Sequence, residues 1–152
     1  MEHSQATEKP VYKIYKEGAI IVGTFLGGPL AAGYMIAENF KAFQEPQKVR
    51  KTWVYAIFAT VISLIAIYLI PDEGNIPDYT VPMMYTAMAY SLVGYFQKKA
   101  IAEHTQAGGA VFSWFKIICI GLLYFFITLA AGTLVLFLLD SYGFLSADGH
   151  SE

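Results

Sequence analysis

Few residues in this sequence have the types and spacing that chemistry needs. Asp72, Glu73 and Asp78 put three carboxylates in one loop, PDEGNIPDYT, where oxygen ligands could meet a calcium ion. The loop lacks the EF-hand spacing with its terminal glutamate, and Pro77 interrupts it, so it reads as a solvated acidic turn. Met83, Met84 and Met88 bring thioether sulfurs together, but at one end of an apolar segment they read as packing residues. His104 stands beside Glu103 with no further ligand near it, since His3 and His150 lie in the tails, and is expected to be exposed. Cys119 is the only thiol, so no intramolecular disulfide can form. Only Lys116 is electropositive within a helical turn of it, and Cys119 therefore reads as a small buried hydrophobe rather than a reactive group. A membrane enzyme would have to build its pocket from Tyr85, Tyr90, Glu38 and Asn39. HExxH, GxSxG, P-loop, GxGxxG and CxxC patterns are all missing, so no catalytic residue, metal ligand or cofactor site is expected.

The elements that carry these residues belong to a membrane. Ile117 to Leu139 is free of charge, and as a helix it extends about 34 Å, slightly more than the ~30 Å of a hydrocarbon core. Across 152 residues, 56% are hydrophobic and only 14% charged, against about 25% in a soluble domain. The expected architecture is an all-α polytopic bundle: a polar N-terminal tail over 1–16, one membrane domain over 17–140, and an acidic C-terminal tail over 141–152. Membrane segments are expected at 19–37, 53–70, 81–96 and 113–139. Small residues mark two faces for helix packing, Ala56, Ala59, Ser63 and Ala66 on the second segment and Ala87, Ser91 and Gly94 on the third.

The first segment, AIIVGTFLGGPLAAGYMIA, is the least regular. Pro29 has no amide hydrogen, which frees the Phe25 carbonyl, and Gly27 and Gly28 before it are poor helix formers. Two conformations answer this pattern. One is a kinked span in which Gly23, Gly27 and Ala31 admit a close neighbour, with Gly33 beyond them. The other is a re-entrant hairpin folded at Gly27-Gly28-Pro29, its backbone shielded inside protein.

Charge decides how the segments should lie. The connectors between segments hold Lys41, Lys48, Arg50 and Lys51 in one and Lys98 and Lys99 in the other, whereas the acidic loop and the C-terminal tail hold no basic residue. Such connectors are expected on the cytoplasmic side, and binding of lipid headgroups by the first of them is a secondary reading. Four full crossings would strand Lys9, Lys13 and Lys16 on the opposite side, which favours the hairpin. A net charge of −2 gives no footprint for nucleic acid. No carboxylate or histidine lies within the three regular spans, against a proton pump or ion-coupled carrier.

The run Gly27, Gly28, Pro29, Leu30, Ala31 and Gly33, followed by Asn39 in a basic connector, resembles a family of small, uncharacterised bacterial polytopic integral membrane proteins with a G-G/S-P-L-A-x-G segment. The resemblance implies a bacterial inner-membrane location and three or four helices, and brings no activity or cofactor with it. The expected function is that of a non-enzymatic accessory or interaction protein, in contact with the lipid bilayer and with a second copy or a membrane-protein partner. A small oligomeric channel or transporter using the broken first segment is the alternative.

Overall fold

The computed structural model describes residues 11–69 and 76–142. The described chain is all-α: α1 runs Glu17–Ala42, α2 Pro46–Leu69, α3 Thr80–Phe96, α4 Lys98–Gln106 and α5 Trp114–Ser141. Both expected basic connectors are largely helical. Lys41 closes α1, Lys48, Arg50 and Lys51 open α2, and Lys98 and Lys99 open α4. Asp72 and Glu73 of the acidic loop lie outside the described residues, as do the first ten residues and the tail beyond 142.

α1 is a hairpin. At Gly28 the backbone takes φ 72° and ψ −168°, a conformation open essentially to glycine alone, and it divides the helix into arms at 17–27 and 29–42. Pro29 opens the second arm, where its missing N–H would have had no helical partner in any case. The arms then return side by side: a β-carbon on Gly23 would lie 2.5 Å from the Cε of Met35. At the open end, the Tyr15 N–H donates to Asn39 Oδ1 at 2.7 Å and Asn39 Nδ2 donates to the Tyr15 carbonyl at 2.8 Å. In a straight helix, residues so far apart in sequence would be separated by about 36 Å. Thus α1, although long and apolar enough to cross a membrane if straight, folds back on itself at Gly28. The kinked-span reading gives way to the hairpin, whose arms of roughly 16 and 21 Å reach only part of the way through a bilayer core.

α2 and α5 are long and apolar enough to cross. α3, with 17 residues, extends about 26 Å, a little short of a ~30 Å hydrocarbon core. Most of the buried residues lie on the hairpin, whereas α2, α3 and α5 bury two or three each. The core is therefore the small-residue hairpin, and the more apolar helices surround it with their outer faces toward lipid. α5 approaches the tip so closely that a β-carbon on Gly27 would lie 2.5 Å from the Gly121 carbonyl oxygen. This is the close approach that small residues permit in membranes. Gly33 makes the matching contact with Ala56 of α2.

Several expectations about faces change. The expected stripe on α2 holds, with Ala56 buried and Ala59, Ser63 and Ala66 half-buried. On α3 the packed residues are instead Ala89 and Val93, while Ala87 and Ser91 are exposed. Their Ala/Ser/Gly spacing marks an accommodating face, but the hairpin occupies another. Met83, Met84 and Met88 are exposed rather than packed, and so is Cys119, which lies off the face of α5 that buries Ile117, Ile120 and Gly121 and sets Tyr124 against Tyr34. The N-terminal segment is not polar tail throughout, since Ile14 and Tyr15 are fully buried.

Candidate functional site

The open end of the hairpin gathers the polar groups of the core. Asn39, 1% exposed, satisfies both backbone groups of Tyr15 and also donates through Nδ2 to Gln97 Oε1 at 3.1 Å. Gln97, at the end of α3, passes the chain of bonds on by donating to the Ile36 carbonyl at 2.9 Å. Three sequence-distant segments are thus fixed by two buried amides. The Ile14 N–H donates to the Ala110 carbonyl and the Phe112 N–H to the Ile14 carbonyl, laying the N-terminal segment along the entry to α5. The hairpin ends, both basic connectors and the start of α5 therefore share one end of the bundle.

His104 belongs to this clasp and is not exposed. It is 4% accessible, its Nε2 lies 3.0 Å from the Ala110 carbonyl, and its ring stacks on Tyr12 at 4.9 Å. A carbonyl can only accept, so Nε2 carries the proton. Gly109 passes against the ring with no room for a β-carbon, and Gly108 has φ 72°, so the histidine holds a tight turn into α5. The signal available in sequence was that Gly-Gly pair a turn beyond it. Beside the clasp, Tyr15 stacks on Phe112 at 4.3 Å and approaches Tyr34 at 6.3 Å. The Tyr15 hydroxyl is buried with no hydrogen-bond partner among the described residues, and burial, followed by the neighbouring Tyr34, pushes its pKa well above 10.

On one flank of the hairpin a groove of about 350 Å³ opens between the second arm, α2 and α3. Its walls are apolar, built from Ala32, Ile36, Ala56, Ala59 and Leu92 among others, with Pro29 and Tyr85 along its length. Lys48 and Lys51 stand in it with Thr52 at the open end of the hairpin. Lys48 is anchored there by Glu45 at 2.8 Å and by the face of Phe40, 5.3 Å away. The groove therefore combines a long apolar trough with an ammonium pair at one end, which suits a molecule with an apolar chain and an acidic head.

The other flank, between the starts of α1 and α5, carries a second cleft lined by Lys13, Lys16, Lys116, Ser113 and Trp114. The remaining basic residues expected to set topology are more solvated: Lys41 pairs with Glu38 at 2.5 Å, Lys99 reaches Glu103 at 3.9 Å, and Arg50 and Lys98 are exposed.

The residues that an enzyme pocket would have needed are not brought together. Asn39 is consumed by the clasp, Glu38 by Lys41, Tyr90 is exposed, and Tyr85 faces the groove. Among the described residues there is no group of three or more histidine, cysteine or acidic side chains placed to hold a metal.

Comparison of the chain with family models, curated proteins and solved structures finds no match. The class therefore rests on its own geometry: a multi-pass, all-α membrane protein organised on a hairpin that enters and leaves at one end.

Proposed function

We propose that this chain is a non-enzymatic accessory protein of the membrane, a bacterial inner membrane by the resemblance of its Gly27 to Gly33 run, which acts by holding an anionic amphiphile. The observation that carries the reading is the groove beside the second hairpin arm, apolar along its walls and closed at one end by Lys48 and Lys51. An acyl chain lying against Ala56, Ala59 and Leu92 would bring a lipid phosphate to the depth of the two ammonium groups. With the basic end in the cytoplasm, that phosphate belongs to the inner leaflet. Each lysine near an anionic headgroup contributes about 1 kcal/mol; Glu45 already pairs with Lys48, so Lys51 carries most of the preference for an anionic over a zwitterionic lipid, roughly fivefold.

Native mass spectrometry of delipidated protein, with phosphatidylglycerol or phosphatidylcholine returned in turn, tests this. Phosphatidylglycerol should be retained preferentially, and Lys48→Ala/Lys51→Ala should abolish the preference. Ala59→Phe, which fills the trough without altering charge, should reduce retention of both lipids. Equal retention of the two lipids by the unaltered protein contradicts the reading.

A second reading, a small oligomeric channel or transporter, draws on Gly28, whose break leaves helix-end backbone within the membrane. Solute flux across liposomes containing only this protein would favour it over the accessory role.

A further inference from the structure

α1 and α5 begin side by side, and the cleft between their N-termini brings three lysines together over an apolar floor that includes Ala19 and Ile117. Lys13 precedes α1, Lys16 is its N-cap, and Lys116 lies in the first turn of α5, all three lining one cleft of about 500 Å³ with Ser113 and Trp114. Neither N-cap closes its helix with a side chain: Lys16 cannot, and the Ser113 hydroxyl makes no capping bond. The first amides of both helices are thus left without intrahelical acceptors, and both helix dipoles present their positive ends here.

The lysines are not neutralised by neighbours. Among the described residues, none of the three forms an ion pair, and no carboxylate lines the cleft. Glu17, next to Lys16 in sequence, is half-buried in the first turn of α1 and is not part of the lining. Lys116 is held against the wall by the Phe112 ring, 3.7 Å from its Nζ, while Lys13 and Lys16 are exposed. The Ile14 bridge to Val111 fixes the spacing of the two helix starts, so the arrangement is set by backbone rather than by flexible side chains alone.

Three ammonium groups and two positive helix ends repel one another unless an anion sits among them. We infer that this cleft binds a phosphate group, its oxygens taken by Lys13, Lys16 and Lys116, by the Ser113 hydroxyl and by free amides at the start of α5. Phosphate suits the site because it offers several acceptors and a full charge to donors converging from different sides. It is separate from the groove at Lys48 and Lys51, on the opposite flank of the hairpin. The phosphate comes either from a lipid headgroup, at the interfacial depth that Trp114 marks, or from a free phosphate in solution.

Trp114 reports on the cleft directly, since Trp53 is the only other tryptophan and can be removed as Trp53→Phe. The protein, carrying Trp53→Phe and Lys48→Ala/Lys51→Ala so that the groove does not contribute, is placed in phosphatidylcholine nanodiscs. It is then titrated with inorganic phosphate, or compared across discs of rising phosphatidic acid content. A saturable change in Trp114 fluorescence is expected: with phosphatidic acid alone if the source is lipid, and also with inorganic phosphate if it is soluble. Lys13→Gln/Lys16→Gln should weaken that response about tenfold or more, while Lys98→Gln/Lys99→Gln, which removes the same charge from α4, should leave it within twofold. Melting temperatures of the variants establish that each is folded. No saturable response to either probe, or equal weakening by the two double variants, overturns the proposal.

Discussion

Asn39 and Tyr15 close the hairpin by a reciprocal pair of hydrogen bonds, the Asn39 side-chain amide acting as acceptor at 2.7 Å and donor at 2.8 Å to one residue's backbone. The third bond, to Gln97, makes the same amide the link to α3. Replacing Asn39 with Ala strands the Tyr15 N–H and carbonyl in a buried site, where each unsatisfied group costs about 1–3 kcal/mol. Thermal melting in mild detergent should therefore drop further for Asn39→Ala than for Gln97→Ala, which leaves the Tyr15 pair intact. Equal drops would contradict the assignment of the hairpin closure to Asn39.

At the tip, the two glycines fail for different reasons when replaced. Gly27 faces the Gly121 backbone, so Gly27→Leu must push α5 away, and overpacking of this kind costs about 1–3 kcal/mol or more. Gly28 has open space around it, and only its φ of 72° with extended ψ forbids a side chain. Gly28→Ala should lose about 1–3 kcal/mol through backbone strain. Ala130→Leu, on an exposed stretch of α5, should melt with the unaltered protein. A Gly27→Leu variant as stable as Ala130→Leu would show that the close contact is absent.

Tyr15 makes alkaline stability a probe of the clasp. Its pKa lies above its ordinary 10 because the buried hydroxyl resists ionisation, so above pH 10 the unfolded chain loses a proton that the folded one keeps. Stability from this group is fully present below pH 10 and is lost progressively as pH rises above it. Tyr15→Phe removes a hydroxyl that has no partner, so near neutrality it should leave the melting temperature unchanged or slightly raised. Above pH 10 the variant should lose less stability than the unaltered protein. Melting curves from pH 8 to 11.5 check this, and parallel declines for the two proteins would place the Tyr15 hydroxyl in contact with water.

How much of this was legible depended on whether the signal was local. The uncharged runs that became α2, α3 and α5 were readable because crossing a bilayer demands continuous apolarity. Gly28-Pro29 and the lysines before α1 pointed to the hairpin, since a glycine-only backbone angle and the placement of charge are written in adjacent residues. Which face of α5 packs is not readable from sequence: a helix apolar on every side has no periodicity, and Cys119, expected to be buried, is exposed. Asn39 enters the sequence reading only through the resemblance and the enzyme-pocket set, because its partner Gln97 lies beyond two further helices. The burial of His104 is not legible in sequence because it depends on a turn that reaches back over α4 and on Tyr12 from the far N-terminus.

The central claim is that the chain enters and leaves the membrane at one side before α2. Single cysteines at Val11, Gln47 and Ile76, all exposed, placed in a Cys119→Ser background, test it with a membrane-impermeant maleimide in intact cells. Val11 and Gln47 should be protected together until the membrane is opened, and Ile76, across α2, should label at once. Labelling of Val11 together with Ile76 while Gln47 stays protected would make α1 a full crossing and contradict the hairpin.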